Sequence, residues 1–327
     1  MSGVQRFDIR YVTRFRYSSP VRESHNEVRA CPADNERQSV LQFRFTVGPE
    51  ADVQSFRDYW GTRVEAFGVR GLHEELIAVA ESSVETRPGS GLPDGLRPLG
   101  EVRTSLRLAH FDEVVPTPAT QPDGPMLRAV AELGLGEGAT AHDAVLAVQD
   151  AVRKRLRYER GATTVTTTAA EAWEIGAGVC QDYAHASVAL LRALGVPARY
   201  VSGFLFTSSD EAGVVPADTD SVEVQTHAWV EAAVAPNRWV AIDPTNGLPV
   251  EQFHVKIGHG RHYDDVCPFN GSFVGVGEAE LDASVEMRRQ GDRDRAPVFV
   301  RPADQGVLPT RSPGGSQRLQ QQQQQQQ

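Results

Sequence analysis

Cys180 lies in the run Gly178-Val179-Cys180-Gln181-Asp182-Tyr183-Ala184-His185. His227 follows in Thr226-His227-Ala228-Trp229-Val230-Glu231, and Asp243 in Ile242-Asp243-Pro244-Thr245. A thiol, an imidazole and a carboxylate can serve as nucleophile, base and orienter of the base. In this combination they point to acyl transfer through a thioester. A thiol near its unperturbed pKa of about 8.5 is mostly protonated at neutral pH, so it needs activation. The segment from Cys180 to Leu194 carries Ala184, Val188, Leu190, Leu191 and Leu194, and Gly195 and Pro197 supply its stop. That pattern predicts a helix with Cys180 in its first turn. There the helix dipole and a neighbouring imidazolium favour a thiolate, and the first-turn N–H groups can receive an oxyanion. Gly176 and Gly178 let the backbone turn tightly into the helix and leave the sulfur accessible.

The base needs rigid support. Residues Gln225 to Ala235 alternate as a strand, with His227, Trp229 and Glu231 on one side and Ala228 and Val230 on the other. Arg238 to Asp243 forms the next strand, and Pro244 ends its ladder. The connection between the two strands is short, so a hairpin can return Asp243 to His227. A carboxylate on one imidazole nitrogen fixes the tautomer and leaves the other nitrogen for the thiol.

The rest of the chain divides by period and punctuation. Residues 1–86 predict a β-rich N-terminal domain: Phe7, Ile9 and Tyr11 alternate with polar residues, as do Phe43, Phe45 and Val47, and Leu76 to Val84 adds a strand. Pro20, Pro32 and Gly48-Pro49 punctuate these runs. Residues 87–100 are dense in Pro and Gly and predict a linker. A core over 101–287 opens with helices at Pro125–Leu133 and Thr140–Leu156, the latter with Val145, Leu146, Val148, Val152 and Leu156 on one face. Thr168 and Glu171 fit a capping box for a short helix through Ile175. Ala198 to Phe206 predicts a strand, 207–221 an acidic loop, and Leu281 to Met287 a last strand. Residues 288–327, with their Gln tract, predict a disordered tail.

Of 327 residues, 40% are hydrophobic and 23% charged, which predicts an ordinary globular protein able to bury a sizeable core. A formal net charge of −10 argues against a nucleic-acid backbone as the main partner. No run of 18 apolar residues predicts a membrane span, and the opening Met-Ser-Gly-Val-Gln-Arg has no apolar leader. Three cysteines without a leader are expected in a reducing cytoplasm, not in a disulfide framework.

These motifs together resemble the transglutaminase-like superfamily, bacterial branch. Residues 178–185 look like its nucleophile motif and Pro-Ala-Arg-Tyr-Val-Ser-Gly (197–203) like its following strand. Residues 226–231 and Asp-Pro-Thr-Asn-Gly (243–247) look like its His and Asp motifs. Ser18-Ser19-Pro20-Val21 through Val28-Arg29 is similar to the β-rich domain that precedes the core in that branch. The resemblance implies an α+β fold: a papain-like core, its active helix packed on an antiparallel sheet, behind a small β-rich domain. It implies Cys180 as nucleophile, His227 as base and acid, and Asp243 as orienter. No cofactor is implied, and no Ca²⁺ loop motif is present. The expected substrate is a peptide or protein, cleaved by water as a cysteine peptidase or amidase. Transfer to an amine, as in a protein-glutamine transglutaminase, is the alternative, and a non-catalytic peptide-binding module on this fold is another. The resemblance also suggests ATP-grasp-like proteins as pathway partners. Where family members often have Gly-Arg-Asp-Tyr, this chain has Gly260-Arg261-His262-Tyr263.

Other residues admit plainer roles. Cys31 and Cys267 are expected as small buried hydrophobes. His185, a turn beyond Cys180, either lines the site or is held within the helix. Gln181, Tyr158 and Trp229 are further candidates for substrate binding or the oxyanion region, while Trp173, Trp229 and Trp239 are expected as core or site-wall residues rather than ligand boxes. His254, His259 and His262 lie near Asp264 and Asp265, but their spacing fits no ligand motif, and a solvated polar loop is expected. A zinc site from Cys180, His227 and Asp243 lacks a second Cys or His at tight spacing.

Overall fold

The computed structural model describes residues 3–89, 96–207, 221–224, 226–290 and 316–318. Four strands come first: β1 (Gln5–Val28), β2 (Gln38–Gly48), β3 (Val53–Arg57) and β4 (Arg63–Thr86). β1 is one long strand where Pro20 suggested an interruption. It bends instead, with register shifts against β4 between Arg16 and Val21 and between Val21 and Glu23. A residue without an N–H belongs at such an irregularity, where the ladder is already broken.

A helical section follows: α1 (Leu99–Ser105), α2 (Phe111–Val114), α3 (Gly124–Glu132) and α4 (Ala141–Arg155). Side-chain caps set the starts of the last two. Asp123 caps α3 through Met126 N at 2.9 Å, and Thr140 and Asp143 form a capping box on α4. Next come β5 (Arg157–Tyr158), α5 (Ala169–Ile175), β6 (Ala177–Gly178) and α6 (Cys180–Ala193). The Thr168–Glu171 box opens α5, and Gly176, at φ 73°, closes it. From Cys180 to Arg192 every residue of α6 is buried. A helix covered on all sides carries apolar or hydrogen-bonded residues all round, as this one does.

The remaining strands are β7 (Ala198–Leu205), β8 (Ser221–Val224), β9 (Thr226–Ala235), β10 (Arg238–Asp243), β11 (Leu248–Pro249), β12 (His254–Gly260), β13 (Phe269–Val274), β14 (Ala279–Arg289) and β15 (Ser316–Arg318). Among the described residues they form two main sheets. The smaller sheet runs β11-β10-β9-β7-β12, antiparallel throughout. α4 and α6 pack on it, through Val145, Val148, Val152, Ala184, Val188 and Leu191 against Ala228, Val230 and Ala232. The α+β expectation holds.

The larger sheet departs from the expected domain boundaries. β4 pairs with β1, β2 and β3, but β1 takes its other neighbours from the far end of the chain, β13 and β14. The Leu281–Met287 strand, assigned from sequence to the core, therefore completes the N-terminal sheet. Gln290 N donates to Arg6 O at 2.9 Å at the end of this pairing. Arg288 and Arg289 thus belong to a strand, and Ser316–Arg318 pairs with β13. The rest of the expected tail, Gln tract included, lies outside the described residues, as does most of the 207–221 loop. The two sheets share a core. Phe204, Phe206, Val255 and Ile257 pack with Phe7, Tyr11, Phe15 and Met287, and the Phe7 and Phe206 rings lie 5.0 Å apart.

Candidate active site

The nucleophile's position is fixed by the turn into α6. Asp182 Oδ2 accepts Val179 N–H at 2.8 Å and the Thr163 hydroxyl at 2.7 Å. This carboxylate, fully buried, closes the first turn from below. Gly178 is needed for it: a Cβ there would stand 2.4 Å from Asp182 Oδ2. Burial outweighs the hydrogen bonds and pushes the Asp182 carboxyl up to about 6. Cys180 itself is 4% exposed.

The β9–β10 hairpin supplies the other two groups. Asn237, at φ 55°, makes its turn, and Ile242 faces Val230 across the ladder. Those two point toward α6, so by alternation Asp243 shares the opposite parity with His227 and Trp229. His227 Nε2 donates to Asp243 Oδ2 at 2.8 Å, and Cys180 hydrogen-bonds the same ring. With Nε2 committed to the carboxylate, Nδ1 is the nitrogen left for the sulfur. Burial alone would lower the His227 pKa, but the Asp243 carboxylate and the Cys180 sulfur outweigh it and push the imidazole up to about 10. Burial likewise raises Asp243, and the His227 charge overcomes it, holding the carboxyl well below its usual range.

A residue expected in a solvated loop joins them. His254 opens β12 with its side chain 7% exposed, and its Nε2 donates to Asp243 Oδ2 at 3.2 Å. The solvated-loop expectation is corrected: Val255 and Ile257, buried in the core between the sheets, make His254–Gly260 a strand. That alternation was the signal available in the sequence. His259, on the same strand, bonds Arg199 at 3.1 Å beside a buried group in which Glu231 takes Lys256 at 2.7 Å and Arg199 at 2.6 Å. His227, Asp243 and His254 each offer one ligand atom within 4.8 Å of the others. The hydrogen bonds account for this grouping without an ion, because His254 Nδ1 accepts Glu251 N–H at 3.2 Å, which leaves the proton on Nε2 for Asp243.

The other candidates separate. Tyr158, 39% exposed, pairs with Gly178 through β5 and β6 and so stands beside the turn that leads to Cys180. Trp229 is buried, its ring 6.2 Å from His227 and edge-on to His254 at 5.4 Å. Gln181 donates to Val165 O at 3.2 Å, pinning the loop before α5. His185 leaves the site altogether. Five residues on, it is rotated about 140° round the helix from Cys180, and it packs against Tyr200 at 5.0 Å while Nε2 accepts Tyr263 N–H at 3.1 Å. Trp173 belongs to the core around α6. Trp239 lies under the Arg199 guanidinium at 4.0 Å.

The chain that carries this arrangement of sulfur, imidazole and carboxylate matches two family models. One, of the transglutaminase-like superfamily, matches residues 128–244. The other, of the bacterial transglutaminase-like N-terminal region, matches residues 7–85. An uncharacterized protein of Mycobacterium leprae is 34% identical over 87% of this chain and 99% of its own length. The chain belongs to the transglutaminase-like superfamily. A protein-glutamine gamma-glutamyltransferase of Pseudomonas aeruginosa is 32% identical over 39% of this chain and 19% of that protein. The crystal structure of a candidate cysteine protease from Cytophaga hutchinsonii shares the fold, with a TM-score of 0.70, 23% identity, and coverage of 92% of this chain and 95% of that one.

Proposed function

We propose that this superfamily member carries out thiol-dependent acyl transfer on an amide, with hydrolysis as its main outcome. One observation carries the reading: His227 gives Nε2–H to Asp243 at 2.8 Å and bonds Cys180 on its other side. In that order the Cys180 sulfur attacks the carbonyl carbon, and N–H groups at the α6 start receive the oxyanion. His227 then protonates the departing amine, the C–N bond breaks, and a thioester remains on Cys180. Water, deprotonated by His227, adds to the thioester and releases the acid and the free thiol. Asp243 keeps the ring in one tautomer and balances the imidazolium. A peptide-binding module would have no need of this arrangement. The substrate class is a peptide or protein amide, and we place the protein in the cytoplasm.

Water at about 55 M resolves the thioester unless a pocket holds an amine, since positioning can be worth an effective molarity of about 10⁵ M or more. No acidic cluster flanks Cys180 in sequence to recruit an amine; Asp182, the nearest carboxylate, is enclosed by Thr163 and the backbone. The test supplies glutamine-containing peptides with and without millimolar cadaverine and follows product masses. Free acid or cleaved peptide should dominate. A cadaverine adduct as the major product makes the enzyme a transglutaminase, and no covalent species on Cys180 with any peptide removes catalysis from the reading.

A further inference from the structure

Asp243 receives more donors than a nucleophile–base–acid trio requires. Its Oδ1 accepts the backbone N–H groups of Thr245 and Asn246, each at 3.1 Å. Its Oδ2 accepts Asn246 Nδ2 at 2.7 Å, His227 Nε2 at 2.8 Å and His254 Nε2 at 3.2 Å. Asn246 is a neighbour in the chain and His227 is the base, but His254 is delivered by another strand. Its second nitrogen is tied to Glu251 N–H, so the ring is neutral with its proton on Nε2. The titratable groups that face it are Asp243 from β10 and His227 from β9, and Cys180 of α6 bonds the His227 ring. Trp229 closes the remaining edge.

A donor on a carboxylate draws on its negative charge and weakens the pull on every other donor. We infer that His254 is a positioning residue: by sharing Oδ2 with His227, it limits how tightly Asp243 holds the imidazolium proton. Its use rests on the acyl-transfer reading above. There the imidazole must take a proton and later give it up to the leaving amine, and a carboxylate with one donor fewer keeps the ring protonated and slows the second step. Burial keeps His254 itself toward its neutral form, so it donates without adding a charge.

Two substitutions separate its two hydrogen bonds. In His254→Asn the side-chain oxygen takes the place of Nδ1, keeping the Glu251 tie and losing the donor to Asp243. In His254→Gln the amide nitrogen takes the place of Nε2, keeping the donor and losing the tie. Each is made in the full chain on a Cys180→Ala background, so that sulfur adds nothing to the titration. The ring nitrogens of His227, assigned by loss in His227→Gln, are followed by NMR against pH. His254→Asn should raise the His227 midpoint by about one pH unit, a tenfold gain in proton affinity. His254→Gln should match the parent. An unchanged or lowered midpoint in the Asn variant, or equal shifts in both variants, overturns the inference. The readout needs no substrate. A chain inert toward peptides that shows the shift retains this role for His254, and an active chain without the shift loses only this role.

Discussion

At the scale of single residues, the three cysteines should react very differently. Burial pushes Cys31 and Cys267 up to about 11, whereas Cys180 bonds an imidazole whose protonated form is stabilised by Asp243. Brief iodoacetamide at pH 6, followed by peptide mapping, should label Cys180 first and the other two hardly at all. Equal labelling would remove the argument for an activated sulfur. Asp243→Asn presents a different case. The amide turns an N–H toward donors that need an acceptor, and it cannot balance an imidazolium. Turnover on a working peptide should fall about 10³–10⁴-fold with the fold retained; near-full activity would mean that another group orients His227. Cys180, His227 and Asp243 were legible in the sequence because each is announced locally, by a helix start, a strand parity and a proline stop. His254 was not, because no nearby residue says where the wrap from Pro244 to Phe253 delivers it.

At the scale of the element, α6 depends on its first turn. Gly178→Ala should cost about 1–3 kcal/mol, because the added methyl collides with Asp182. Urea unfolding measures the loss, and slower Cys180 alkylation should accompany it. Asp182 also makes stability depend on pH. Its carboxyl sits at about 6 in the folded chain, above the ordinary value of 3.8. The folded state therefore binds more protons between these values, and stability falls as pH rises through that window. Asp182→Asn keeps an oxygen for Val179 N–H and the Thr163 hydroxyl and removes the ionisation. The variant's stability relative to the parent should improve by about 2–3 kcal/mol between pH 4 and pH 8; a constant difference across that range would refute the assignment. The helix itself was readable from Ala184, Val188 and Leu191, which pack toward the sheet. That His185 falls on the far side follows from helical geometry alone, and only the packing of Tyr200 and Tyr263 around it shows what it does there.

At the scale of the whole molecule, the shared core should make the two sheets unfold together. Phe206, 2% exposed, is packed on Phe7 and belongs to the segment after β7. Phe206→Ala should cost about 3–5 kcal/mol and shift one cooperative urea transition, seen alike by tryptophan fluorescence and far-UV circular dichroism. Two separated transitions would show that the layers fold independently. The β-rich character of residues 5–86 was plain from alternation, yet the sequence could not say that its sheet would be finished by β14. Both strands alternate in the same way, and period alone carries no partner.

The pairing of β1 with β14 leaves Arg6 and Gln290 hydrogen-bonded to each other. In space, then, the first strand, β1, and a strand from late in the chain, β14, are neighbours. A short flexible splice between these two strands would turn the chain into a circular permutant, with new ends opened at the Pro- and Gly-rich stretch between β4 and α1. Cys180, His227 and Asp243 would keep their order, and the hydrogen-bond partners described for them and for the turn into α6 lie between Thr163 and His254.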